Sequence, residues 1–158
     1  MANFINPIDL SILLFITVIS VLGIRNGFII ELKKNINLLF SLLLTHIIMV
    51  YIMKLYSQSD MINFILYVVI FISLILLIGL IIDLAIQHLP IITIEKNINK
   101  LIGLLLAALK SIILVSTILF FINLLPMQEN IKSNFFLKAN EGSVLFKISN
   151  NLQSFIIN

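Results

Sequence analysis

Asp83, Lys110 and His46 each interrupt a long apolar run, and a carboxylate, an ammonium and an imidazole at similar depth are the parts of a proton relay or a clamp on a charged solute. An ionisable group at bilayer depth costs about 2.5–3.5 kcal/mol on insertion scales, so it faces a bundle interior or a wet cavity and has a partner. Lys110 lies in GLLLAALKSIILVS, residues 103–116. At about 1.5 Å per residue it sits roughly 15 Å into its segment, and its side chain leans back toward the segment's N-terminal end. Asp83, about 9 Å from the end of the preceding apolar segment, is the predicted partner. His46 stands at nearly the same depth and would extend the polar layer to a third helix. The plainer reading of His46 is a hydrogen bond to a neighbouring helix, with Ser41 and Thr45 as local competitors, since no second metal ligand stands at helical spacing. An Asp83–Lys110 pair can likewise be functional or structural.

The elements that would hold these groups follow from composition. Hydrophobic residues make up 61% of the 158 positions and charged residues 11%, with a mean hydropathy of +1.19, far from the balance of soluble domains. Residues 8–24, 36–53, 64–89 and 101–125 are apolar runs near the 20 or so residues needed to cross roughly 30 Å of hydrocarbon. Hydrophobicity within them is continuous, not alternating, which argues for helices over a barrel. The expected fold class is an all-α membrane protein: a four-helix transmembrane domain over 1–126 and a tail over 127–158. In the tail, Leu145, Ile148, Leu152, Phe155 and Ile156 recur at helical spacing opposite Lys147, Asn150, Asn151 and Ser154. That is the pattern of an amphipathic helix in the interface plane or docked on the bundle.

No Lys or Arg precedes Arg25 and no small-residue cleavage site follows the first run, so that run is expected to be a retained helix and not an export signal. Cysteine is absent, which excludes disulfides, thiolate metal sites and a cysteine nucleophile. The net charge of +3 is scattered among short connections and forms no stripe, so nucleic acid is not an expected partner; the lipid bilayer is, with a second copy or other membrane proteins as further candidates. Arg25, Lys33, Lys34, Lys96 and Lys100 fall in the first and third connections, against Lys54, Lys132 and Lys138 near the opposite ends. The positive-inside tendency therefore places loops 23–35 and 89–100 in the cytoplasm.

Two stretches carry motif-like spacing. Asn6-Pro7-Ile8-Asp9 suits a helix start, with Asp9 serving either the helix terminus or a function of its own. One helix later comes Gly23-Ile24-Arg25-Asn26-Gly27-Phe28-Ile29-Ile30-Glu31, where the glycines allow the chain to turn back. Arg25 and Glu31 are there either solvated at the lipid surface or paired across the turn. In the second stretch, Asn99-Lys100 leads to Gly103, Ala107 and Ser111, four residues apart, a small-residue ridge along which another helix can approach closely. Together these stretches resemble the colicin V production protein family, small bacterial inner-membrane proteins, over most of residues 7–126. Asp9, Gly27, Phe28, Glu31, Lys100, Gly103 and Lys110 match that family's pattern in kind and spacing. The chain departs from it at Arg25, one place early, at Asn99, which replaces an acid and with it any charge pairing to Lys100, and at Ala107 and Ser111, which replace glycines.

No nucleophile–base pair, metal cluster or phosphate-binding glycine loop is visible, so neither catalysis nor a cofactor is expected. The resemblance implies an accessory membrane protein for colicin V production and envelope homeostasis. The alternative is a subunit of a small oligomeric transporter or channel, because four helices enclose too little space to form a pathway alone. The two differ in whether the polar layer is wet or sealed.

Overall fold

A computed structural model of the chain describes residues 7–55, 59–87, 95–126, 133–134, 143, 146–147 and 151. It is helical, with no strand among the described residues: α1 (Pro7–Leu55), α2 (Asp60–Gln87) and α3 (Lys96–Leu124). Each is long and apolar enough to cross a membrane.

The first two expected helices form one helical run broken at a single residue. Gly27 has φ 78° and ψ −179°, a conformation open essentially to glycine alone. It divides α1 into a first limb, up to Asn26, and a second limb, from Phe28. Residues 23–35, read from sequence as a polar connection, are thus helical apart from Gly27. The correction has a physical reason: loss of hydropathy marks where lipid ends, whereas Glu, Lys and Leu sustain a helix on either side of that boundary. For the same reason α2 and α3 begin at Asp60 and Lys96, ahead of the apolar residues that announced them.

Both limbs lie along α3, in opposite senses. On the first, Gly23 meets Gly103 and Ala107, while Ile12 and Phe15 pack with Val115, Leu119 and Ile122. On the second, Asn35 reaches the Leu106 carbonyl, Leu38 and Leu42 pack with Ile113, and Met49 packs with Phe120. Gly27 therefore makes α1 a hairpin with α3 laid along it. A side chain at Gly103 would start 2.5 Å from the Gly23 carbonyl oxygen, so the two backbones touch. Lipid tails are as apolar as leucine, leaving close packing and hydrogen bonds to hold helices together, and the ridge of Gly103, Ala107 and Ser111, all buried, supplies that closeness.

α2 runs antiparallel to the second limb. It contacts α3 near one end, where Tyr67 and Phe71 meet Phe120 and Phe121 edge-to-face or tilted, with ring centroids 4.9–5.7 Å apart. Hydroxyls at depth bond carbonyls of the preceding turn: Thr45 to Ser41, Ser116 to Ile112 and Thr117 to Ile113. α3 stops at Leu124, where the Leu125 N–H turns back to Phe121 and Ile122 and Pro126 bars continuation. The residues that defined the expected tail helix, Leu145, Ile148, Leu152, Phe155 and Ile156, lie outside the described residues.

Gly27→Ala is expected to destabilise the fold by about 1–3 kcal/mol, because alanine is strained in that backbone region and its Cβ would crowd the Asn99 amide. The midpoint of SDS-induced unfolding measures this; an unshifted midpoint would mean the hairpin does not require the glycine conformation.

Candidate functional site

The hairpin break exposes the first N–H groups of the second limb, and α3 answers them. The Phe28 N–H donates to the Asn99 Oδ1 at 2.7 Å, an N-cap delivered from another helix. Asn99 packs directly over Gly27, where no larger residue than glycine leaves room for it. Only a turn further on, Glu31 is fully buried. Its carboxylate accepts from the Lys110 ammonium of α3 and from the Asn26 amide, and Lys34 Nζ lies 3.5 Å away. Lys110 is 14% exposed and bends toward the N-terminal end of α3 to make this bond, as helical side chains do. Asn35, buried one turn beyond Glu31, donates to the Glu31 carbonyl at 2.8 Å and to the Leu106 carbonyl at 3.0 Å. The two halves of the hairpin and α3 are therefore joined at one polar node around Glu31.

The expected Asp83–Lys110 pair does not form. Asp83 instead pairs with Lys33 and is 56% exposed. The cause is packing order: α2 meets α3 at its aromatic end, and at the level of Asp83 the second limb is its neighbour. His46 is not part of the node either. It lies fifteen residues beyond Glu31, about 22 Å along the limb, and makes no hydrogen bond or ion pair among the described residues. The limb starts at Phe28 and not at residue 36, where the apolar run begins, so His46 lies deeper along it than hydropathy implies.

The remaining candidates separate cleanly. Gly27, Phe28, Glu31, Asn99, Gly103 and Lys110 meet at the node or its supporting backbone contacts. Arg25 and Lys100 are exposed at the same end of the bundle and have no ion pair among the described residues. Asp9 is at the far end of the first limb, where it accepts from the Ser143 hydroxyl. Ser143 in turn accepts from the Phe146 N–H at 3.0 Å, capping a helical turn, and buries Phe146 against Val115 and Leu119. Sequence reasoning missed Asn26, Lys33, Lys34 and Asn35. A usable signal existed, because Gly27, Glu31 and Asn35 stand four residues apart and share one helix face.

A sequence model of the family described as colicin V production protein matches residues 8–153. The chain belongs to that family. No curated protein and no solved structure matches it. The two motif stretches that carried the resemblance, around Gly27 and around Gly103, are the ones that touch each other in the fold.

Burial decides the cost of disturbing the node. Glu31→Gln or Lys110→Met alone, leaving the partner charge buried, is expected to cost about 3–5 kcal/mol, and the double variant less than the sum. Lys33→Gln and Asp83→Asn, at an exposed pair, are expected to cost under about 1 kcal/mol. A double-mutant cycle on unfolding in detergent tests both; additive losses at Glu31 and Lys110 would show that the two do not interact. At the opposite end, Ser143→Ala is expected to speed amide hydrogen exchange at Phe146 and Lys147, and unchanged exchange there would deny the Ser143 hydroxyl a role in holding that turn.

Proposed function

We propose that this protein is a multi-pass scaffold of the bacterial inner membrane with an accessory, non-catalytic role in colicin V production and envelope homeostasis, acting through contacts with itself or other membrane proteins. In this reading each limb of α1 crosses the bilayer separately, as do α2 and α3, since about 1.5 Å per residue gives each enough length. The end bearing Arg25, Lys33, Lys34, Lys96 and Lys100 faces the cytoplasm, in accord with the positive-inside tendency.

The observation that carries the reading is the complete burial of the Glu31 carboxylate. A transport pathway needs water at its charges, and Glu31 has no exposed surface. Beyond the node, Leu38, Leu42, Phe71 and Ile113 fill the space between the second limb, α2 and α3, and Met49, Tyr67 and Phe120 fill the next layer. Charges held in this way specify which helices meet and at what register, which is work suited to a scaffold.

In cells lacking the protein, colicin V output and membrane abundance should be measured side by side for Glu31→Gln, Lys110→Met and the double variant. The scaffold reading expects output to follow abundance in all three, with the double variant recovering both. A double variant that regains abundance but not output would mean the charges themselves are used, as in transport, and would overturn it.

A further inference from the structure

α2 and α3 converge at the Tyr67, Phe71, Phe120 and Phe121 cluster and part toward the hairpin end, leaving a lateral cleft floored by the second limb. The cleft, about 200 Å³, is lined by Lys34, Lys110 and Asn37 and by Leu38, Ile75 and Leu114. We propose that it is a binding site for an anionic phospholipid, with the headgroup phosphate at Lys34 and Lys110 and an acyl chain along Leu38, Ile75 and Leu114.

Charge complementarity favours this occupant. Lys33, Lys34 and Lys110 share the cluster with two carboxylates, Glu31 and Asp83, and Lys33 is taken up by Asp83. Glu31 must then serve both other ammoniums, which leaves one positive charge uncompensated at the cleft. Lys34 lines the cleft, is 46% exposed and approaches Glu31 only to 3.5 Å, so its ammonium has donors left for a further partner. Asn37 donates to the Ile75 carbonyl at 3.1 Å and so ties α2 to the second limb beside the cleft. A mouth that carries cationic donors at the membrane-surface end and aliphatic walls toward the bilayer interior repeats the polarity of a phospholipid, and a soluble anion would leave the aliphatic wall unused. This site stands independently of the accessory role: its failure would leave that reading intact.

The test uses the full chain, purified and delipidated in neutral detergent, titrated separately with phosphatidylglycerol, phosphatidylcholine and inorganic phosphate. Thermal midpoint and lipid retained in native mass spectrometry are the readouts. Phosphatidylglycerol is expected to raise the midpoint and to persist as a one-to-one adduct, while the other two have no effect at matched concentration. Lys34→Gln, at a half-exposed position and with Glu31 still paired to Lys110, should weaken the phosphatidylglycerol response tenfold or more. Lys34→Arg should retain it, and so should Lys54→Gln, which removes the same charge at the exposed opposite end. An equal response to phosphatidylcholine, or an unaltered response in Lys34→Gln, overturns the proposal. A response to inorganic phosphate that matches phosphatidylglycerol overturns it in favour of a soluble-anion site.

Discussion

The carboxylate of Glu31 cannot reach water, and much of the fold can be understood as the arrangement that makes this tolerable. A lone ionised carboxylate in a low-dielectric interior is prohibitively unstable. Here it has an ammonium from α3, an amide from the residue before the hairpin break and a second, longer-range ammonium from its own helix. Those partners come from three places in the chain, so satisfying the charge also fixes their relative positions. Attraction alone would not suffice, because desolvating two charges offsets most of what their pairing contributes. The pair therefore acts chiefly as a constraint: packings that separate α3 from the hairpin strand a buried charge and are excluded, whereas the native packing is merely permitted.

What makes the native packing favourable is the closeness of backbones beneath the node. Gly23, Gly103 and Ala107 present almost no side chain, so the first limb and α3 meet carbonyl to backbone. Gly27 contributes differently. Its positive φ reverses the helix within one residue and leaves the Phe28 N–H to be capped by Asn99. The departure at Asn99 from the family's acidic residue is chemically mild on this view, since either an amide or a carboxylate oxygen accepts from that N–H. It does remove a negative charge next to Lys100, which is exposed and needs no partner.

The all-helical class and the motif stretches were legible because they depend on hydropathy and on glycine, which act locally; the count was not, since the first two expected helices form one element broken at Gly27. The apolar runs located α2 and α3 to within a few residues, and Gly27 was recognised as a turning point. Partner identity was less accessible. Asp83 and Lys110 appeared to match because depth was reckoned along separate helices, while depth says nothing of which helices are neighbours. That α2 leans on the second limb depends on Phe71, Tyr67 and Asn37 fitting their counterparts, a three-dimensional property with no periodicity to announce it. For Glu31 the sequence leaves two readings open, solvated at the lipid surface or paired across the turn, and it does not point to Lys110 as the partner. The turn that folds Glu31 inward lies four residues earlier, at a position whose effect on direction is invisible until its dihedral angles are known.

The two ends of the bundle are held by contrasting means, and the contrast bears on how it can move. At the hairpin end, polar bonds and touching backbones bind α1 to α3, a tight interface with little to rearrange. At the other end, the Ser143 hydroxyl meets Asp9 and the Phe146 ring packs with Ile12, Phe15 and Leu119, which sets those two residues against the first limb and α3. α2 has neither arrangement. It is fastened through Lys33–Asp83, Asn37–Ile75 and one aromatic cluster, and the rest of its apolar surface is left to lipid. Since opening free energy follows the number and burial of contacts broken, α2 is the element that separates at least cost, pivoting about Tyr67 and Phe71. A helix so placed would widen or narrow the cleft it shares with Lys34 and Lys110, while the Glu31 carboxylate behind them stays buried by α1 and α3.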